Sequence, residues 1–280
     1  MTKITYTNSS VHRIAVIMAV YKGDNLAYLK EALDSLYNQT YDSFDIYIQK
    51  DGILPYLLEE YLEEEAFKHR YLYLRSRREN KGLAYSLNDL LTEVLPLYEY
   101  IARMDSDDIC MHDRFEKQYR FMENNTFVDV VGSGVIEFND SQKLEKLLTF
   151  PLLHNEMAKF FCKRTPIPHV TAFFRKSFFT KVGYYDTYSD KAEDILLWLK
   201  GFQMGAVFAS IKEPLVKVRI SDDYFIRRGG LKKAISDFKI RLKVARRLKC
   251  GVYSYITALG IFILKLLPVA FKRVLYQRLR

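Results

Sequence analysis

The chain has 280 residues and 33.0 kDa, of which 49% are hydrophobic and 28% charged, enough to bury one large α/β core and too apolar for a disordered chain. Its net charge of +9 is unevenly divided: residues 227–280 carry +14 with Asp237 as their one acid, and residues 1–226 carry −5. Cys110, Cys162 and Cys250 are odd in number and far apart, so neither a disulfide framework nor a zinc ribbon is readable, which fits a reducing cytoplasm. Residues 1–10 are polar and do not read as a signal peptide.

In chain order, the apolar run 13–20 predicts a strand buried on both faces. Tyr21, Lys22, Gly23, Asp24 and Asn25 break it, and Leu26, Leu29, Leu33 and Leu36 then recur at helical spacing. Residues 44–48 alternate as a second strand that stops at Asp51 and Gly52, and 71–74 read as a third. Asn80, Lys81 and Gly82 open a helix with Leu83, Leu87, Leu90 and Leu91 on one face. Residues 100–104 form a fourth strand ending in Asp105-Ser106-Asp107-Asp108. A helix over 114–122 and a strand over 128–138 follow. Residues 139–168 look less regular; 171–174 and 207–218 read as strands and 193–200 as the start of a helix bearing Trp198. Strands alternating with helices predict a mainly parallel, Rossmann-like sheet flanked by helices, with its site at the strand C-termini. Three polar clusters fall there: 21–25, 50–52 and 105–108.

The C-terminal stretch divides in two. Residues 231–249 place Ile235, Phe238, Leu242, Ala245 and Leu248 on one face of a basic helix, and 252–264 are almost wholly apolar before Lys265. A spanning helix needs about 20 apolar residues, and this run is shorter. It suits an amphipathic segment lying in a membrane interface, the alternative being a helix packed on the domain. The expected organisation is one domain over 1–230, with a membrane-associating tail over 231–280. The basic charge also admits nucleic acid as a partner, although such a binder leaves the acidic clusters unexplained.

The 105–108 cluster carries the strongest chemistry. Carboxylates one residue apart at a strand end can hold a hard divalent cation, which in turn holds a diphosphate; an acidic helix cap is the plainer alternative. Asp51 can accept a hydrogen bond from a nucleobase or simply form an Asp-Gly turn. Asn80, Lys81 and Gly82 offer a cation and helix-start amides for phosphate. Glu193 and Asp194 are either a general base beside an aromatic sugar platform or a dipole-compensating first turn. His169 is a site residue or a structural histidine.

Taken together, several blocks resemble the GT-A inverting glycosyltransferases of family 2. They are the 14–21 strand with its Leu-rich helix and the 38–41 segment; Lys50-Asp51-Gly52; the 80–84 segment with Asn88; the 104–109 segment with Asp113, Arg114 and Phe115; the 169–175 segment; the 182–186 segment; and Glu193-Asp194 with Leu197 and Trp198. They span about residues 12–230, and the resemblance implies a nucleotide-sugar half over about 1–138 and an acceptor half over about 139–230. The resemblance implies a nucleotide-sugar donor, in particular a UDP-sugar, held by Ala19, Tyr21, Asp51, Asn80, Lys81, Asp105, Ser106 and Asp107, with Arg219, Arg227 and Arg228 as candidates to compensate diphosphate charge. It implies Mn²⁺ or Mg²⁺ on Asp105, Asp107 and Asp108, an acceptor near His169 and Trp198, and Asp194 as the general base beside Glu193. The implied acceptor is a polyprenyl-diphosphate-linked saccharide at the inner face of the cell membrane, in surface-polysaccharide assembly, with no nucleic acid as partner. One departure stands out: the family's paired acids before the first glycine are here Lys50 and Asp51. A nucleotidyltransferase is the rival enzyme, but the first loop holds one glycine where a phosphate-binding loop needs several.

Overall fold

A computed structural model describes residues 14–139, 144–188, 192–220 and 230–266 of the chain. Arg227, Arg228 and the end of the tail lie outside the described residues.

The first half alternates strand and helix: β1 (Ile14–Tyr21), α1 (Leu26–Tyr37), β2 (Phe44–Asp51), α2 (Tyr56–Lys68), β3 (Leu72–Arg77), α3 (Leu83–Val94), β4 (Tyr100–Arg103), β5 (Ile109–Cys110) and α4 (Arg114–Asn124). The second half adds β6 (Val130–Asn139), β7 (Leu144–Leu148), α5 (His154–Phe161), a 3₁₀ turn (His169–Thr171), β8 (Phe173–Arg175), α6 (Lys176–Val182), α7 (Glu193–Gln203) and β9 (Phe208–Arg219). The tail forms α8 (Leu231–Arg247) and α9 (Val252–Leu266). The strands make one sheet ordered β3-β2-β1-β4-β8-β6-β9-β5, with β7 on β6. Strands β3, β2, β1 and β4 are mutually parallel, as are β6 and β9, while β5, β7 and β8 run antiparallel to their partners. This is the mainly parallel, helix-flanked sheet expected from the resemblance to GT-A enzymes.

Strand β1 shows why an unbroken apolar run is needed. Ile14, Val16, Met18 and Val20 face one core with α1, α2 and α4; Ala15 and Ile17 face a second core with α3, α6 and α7. A period of two, buried on both faces, leaves no polar position. Helix α1 begins where Asn25 accepts hydrogen bonds from the Ala27 and Tyr28 amides at 2.8 and 3.3 Å, a cap that contributes about 1 kcal/mol. Its Leu29, Leu33 and Leu36 are fully buried.

Helix α2 is absent from the sequence expectations because its apolar pattern is poor. Leu58 and Leu62 are buried, but Tyr56, Leu57 and Phe67 stand in water. The 139–168 stretch is also more regular than expected, since it contains β7 and α5. A further correction concerns the cysteines. Cys162, at the end of α5, is joined to Cys250 between α8 and α9, with Cα atoms 5.8 Å apart; Cys110 is a buried thiol. A separation of 88 residues gives no sequence signal for that pairing, and the cysteine argument for a reducing compartment falls with it.

The tail is a helical hairpin turned at Lys249, which has φ 51°. Phe238 meets Phe262, and Asp237 pairs with both Lys233 and Lys265. Helix α8 joins the second core through Val244, with Leu248 packed against it, and Ala234 and Ala245 are also buried; Ile235, on the apolar face read from the sequence, is exposed. No helix among the described residues is long and apolar enough to cross a membrane.

Candidate active site

The parallel register brings the C-termini of β1, β2, β3 and β4 to one edge. Tyr21 lies opposite Asp51, Asp51 opposite Arg77, and Ile17 opposite Arg103. Beyond β1 the chain folds tightly back, with the Tyr21 amide donating to Asp24 Oδ2 at 3.0 Å. Gly23 lies under the Tyr21 ring, where a Cβ would come within 2.6 Å of ring carbons. Ala19 is half-buried in the strand and Tyr21 is exposed at its end, so the loop offers an aromatic face over the edge.

Asp51 is buried and heavily engaged. Its carboxylate accepts from Arg77 Nε at 2.8 Å and from the Lys81 and Gly82 amides at 2.9 and 2.8 Å. Asn80 Nδ2 donates to the Asp51 carbonyl at 3.1 Å. The helix-start amides expected to face phosphate are therefore bonded to Asp51, and they fix the α3 N-terminus on β2. Gly52, at φ 88°, permits this contact, because a Cβ there would stand 3.0 Å from the Asn80 nitrogen. Lys50, in place of an acid, is also explained: its buried ammonium bonds Glu59 and Glu63 of α2 at 2.6 and 2.7 Å.

After β4, Asp105, Asp107 and Asp108 each offer an oxygen within 4.8 Å of the others. Arg103 grips Asp105 with both terminal nitrogens of its guanidinium. Asp108 is buried and accepts from the Arg219 amide at 2.8 Å. Burial pushes the Asp108 carboxyl well above its usual range, and the charges of Asp105 and Asp107 add to the rise. Asp24 joins from β1: burial lifts its carboxyl to about 6 against the pull of bonds to the Tyr21 amide and Ser106, with Asp107 and Asp105 raising it further. Two arginines brace this loop. The fully buried Arg114 donates to the carbonyls of Arg103 and Val170, both at 2.9 Å. The Arg219 guanidinium bonds the Asp107 carbonyl at 3.0 Å, pairs with Glu31 and lies 4.0 Å from the Tyr28 ring centroid.

The other wall comes from the second half of the chain. Asn88 of α3 accepts from the Tyr185 amide and donates to its carbonyl, both at 2.9 Å. Tyr185 OH meets His169 Nε2 at 2.8 Å. Burial, helped by the Arg103 charge, pushes the His169 imidazole well below its usual value, so it is neutral at pH 7. Glu193 and Asp194 occupy the first turn of α7. Burial and then Asp194 raise the Glu193 carboxyl, while Arg103 and Lys233 of α8 oppose the rise. Arg103 thus stands in the electrostatic reach of both the 105–108 loop and the α7 acids. Trp198 requires a correction. It is 0% exposed, stacked on Phe174 at 5.7 Å, and presents no face to a sugar. An indole on a helix whose two sides are both apolar belongs to the core.

The donor set matches a hard divalent cation: three carboxylates converge, and no sulfur or imidazole lies among them. The upward shifts at Asp24 and Asp108 come first from burial, with the neighbouring carboxylates adding to them, and a bound cation would offset both. Asp24, Arg77, Arg103 and Lys233 had no sequence signal of their own, although Asp24 sits in the polar 21–25 cluster.

The family profile described as Glycosyl transferase family 2 matches residues 15–183. The chain is 30% identical over 265 residues to an amylovoran biosynthesis glycosyltransferase, AmsE, of Erwinia amylovora, covering 94% of this chain and 98% of that one. It is also 30% identical over 270 residues to the UDP-Gal:α-D-GlcNAc-diphosphoundecaprenol β-1,3-galactosyltransferase of Escherichia coli, covering 95% and 96%. Among solved structures, the mannosyltransferase PcManGT of Pyrobaculum calidifontis, in complex with GDP-Man and Mn²⁺, superposes with a TM-score of 0.62 at 18% identity, covering 95% of this chain and 79% of that one. That last likeness concerns the fold alone. With its parallel edge, its acidic loop after β4 and its paired acids opening α7, this chain belongs to glycosyltransferase family 2 and is a glycosyltransferase enzyme.

Proposed function

We propose that the protein transfers a sugar from a UDP-sugar to a lipid-linked saccharide in bacterial surface-polysaccharide assembly, with inversion at the anomeric carbon. The single observation that carries this reading is that one arginine, Arg103, reaches two acidic sets: it grips Asp105 of the group formed with Asp107 and Asp108 after β4, and its charge acts on Glu193, which shares the first turn of α7 with Asp194. Donor and acceptor chemistry need such separate carboxylates. Asp105, Asp107 and Asp108 would hold Mn²⁺ or Mg²⁺, which when bound supplies a Lewis acid for the departing diphosphate. Tyr21 covers the donor site, and Asp51 orients it through the α3 start. Asp194 accepts the proton of the acceptor hydroxyl as its oxygen bonds the anomeric carbon and the bond from that carbon to the diphosphate oxygen breaks. Asn88 and Tyr185 hold His169 beside that wall. A UDP-sugar donor and a diphosphoundecaprenol-linked acceptor are supported by the E. coli relative, which is named for UDP-Gal and α-D-GlcNAc-diphosphoundecaprenol.

The tail supports a lipid-bound acceptor at the cytoplasmic face of the membrane. On α9, Val252, Ile256, Leu259, Ile263 and Leu266 form one helical stripe, each between 48% and 76% exposed. Lys239, Lys243, Arg246 and Lys249 are exposed on and just beyond the neighbouring α8. An apolar stripe beside basic residues suits an anionic leaflet. Lys233 of the same hairpin acts on Glu193, so a surface docked there lies next to the acceptor wall.

The test is nucleoside-diphosphate release over a panel of nucleotide sugars, with an undecaprenyl-diphosphate-linked sugar as acceptor, in Mn²⁺ and in EDTA. Acceptor-dependent UDP release that EDTA abolishes is the expected result. Release of inorganic pyrophosphate from UTP and a sugar phosphate would instead assign a nucleotidyltransferase.

A further inference from the structure

Arg103 is a cation buried inside an anionic site, and neither the fold nor the proposed chemistry explains why it is there. It ends β4, its side chain is 4% exposed, and both terminal nitrogens grip the two oxygens of Asp105. Its Nε is buried with no hydrogen-bond partner among the described residues. The backbone cannot shift to release the pair, because the Arg103 amide donates to Ala172 at 3.0 Å and its carbonyl accepts from Arg114 at 2.9 Å. A forked guanidinium–carboxylate pair is strong and directional, and its positive charge opposes a second cation on the same carboxylate.

We infer that Arg103 is a positioning residue that holds Asp105 back from the cation until a nucleoside diphosphate arrives, so that divalent-cation binding depends on the nucleotide. This rests on the reading of 105–108 as the cation site. Without nucleotide, Arg103 neutralises Asp105 and leaves mainly Asp107 and Asp108 to attract the ion. The diphosphate brings at least two negative charges, which attract the ion directly and compete with Asp105 for the charge of the guanidinium. Asp105 is then released to the ion. An arginine suits this exchange because it forks to carboxylate and phosphate alike. The arrangement keeps the ion and the donor from occupying the site separately.

The experiment is Mn²⁺ binding followed by electron paramagnetic resonance and calorimetry, on the full chain, with and without UDP. In the wild type, UDP should tighten Mn²⁺ by about tenfold or more, the order expected when one charge is removed from a partly buried site. Arg103→Met should tighten nucleotide-free Mn²⁺ by a similar factor and shrink the gain from UDP. Adding Asp105→Asn to Arg103→Met should erase that tightening, because the freed ligand is Asp105. Arg103→Lys, whose single ammonium cannot fork, should move in the same direction by a smaller factor; it serves if circular dichroism shows Arg103→Met to be unfolded. A purely structural arginine would leave nucleotide-free binding unchanged or weaker in folded Arg103 variants, and that result overturns the inference. Equal wild-type affinity with and without UDP also overturns it while leaving the cation site standing. No Mn²⁺ binding in either state would remove the cation site itself.

Discussion

The sheet edge and the α8–α9 hairpin treat their side chains in opposite ways. At the edge nearly every charge is held: Lys50 by two glutamates, Asp51 by Arg77 and two amides, Asp105 by Arg103. On the hairpin, apolar side chains from Val252 to Leu266 stand in water beside exposed lysines and arginines. Buried charges must be paired to persist, and their pairing makes a rigid platform. An apolar stripe left in water has no such internal account. The contrast teaches that the fold itself pairs the charges of the edge, whereas the α9 stripe is left uncovered by the described residues, which is where the proposed leaflet would dock.

The largest effect should come from breaking the edge at the proposed cation site. Asp107→Ala would remove a proposed cation ligand, and turnover with Mn²⁺ present should fall by about 10³ or more. A mere helix cap would cost only about 1 kcal/mol of stability, so a folded variant with near wild-type turnover would break the assignment. Next comes the platform itself. Arg114→Ala leaves a cavity and orphans the Arg103 and Val170 carbonyls. Denaturant unfolding should show a loss of roughly 3–5 kcal/mol. The smallest effect belongs to the hairpin. Ile256→Asp with Leu259→Asp should weaken flotation with phosphatidylglycerol vesicles by about tenfold or more, two apolar side chains being worth about 1.5–3 kcal/mol each when buried. Turnover on a short soluble acceptor should hardly change. Unaltered flotation would mean that the stripe does not face lipid, and a change in oligomeric state would point to a second copy of the chain.

How far the molecule was legible follows from the range of each interaction. The 13–20 run, the Leu-rich first helix and the acidic cluster after β4 were readable because their signals are local. Apolar spacing fixes a strand or helix, and polar residues at a parallel strand's end fix the edge. Helix α2 was hidden because Tyr56, Leu57 and Phe67 spoil its periodicity without being buried. Arg103 with Asp105, Asp24 with Ser106, and Cys162 with Cys250 depend on how the chain closes in space, for which neither composition nor spacing gives a cue. Trp198 marks another limit. Position on a helix face distinguishes apolar from polar surroundings, but not a core from an aromatic cleft.

The most direct test of the account is the division of labour between the two acidic sets. Asp194→Asn keeps the shape of the α7 first turn but would remove the proposed proton acceptor. Single-turnover sugar transfer and UDP affinity should be measured side by side on this variant and the wild type. The account predicts a fall in transfer of roughly 10²–10⁴ with UDP affinity within about threefold of wild type. Transfer at the wild-type rate, or a loss of UDP binding in its place, would contradict it and move Asp194 to the donor side.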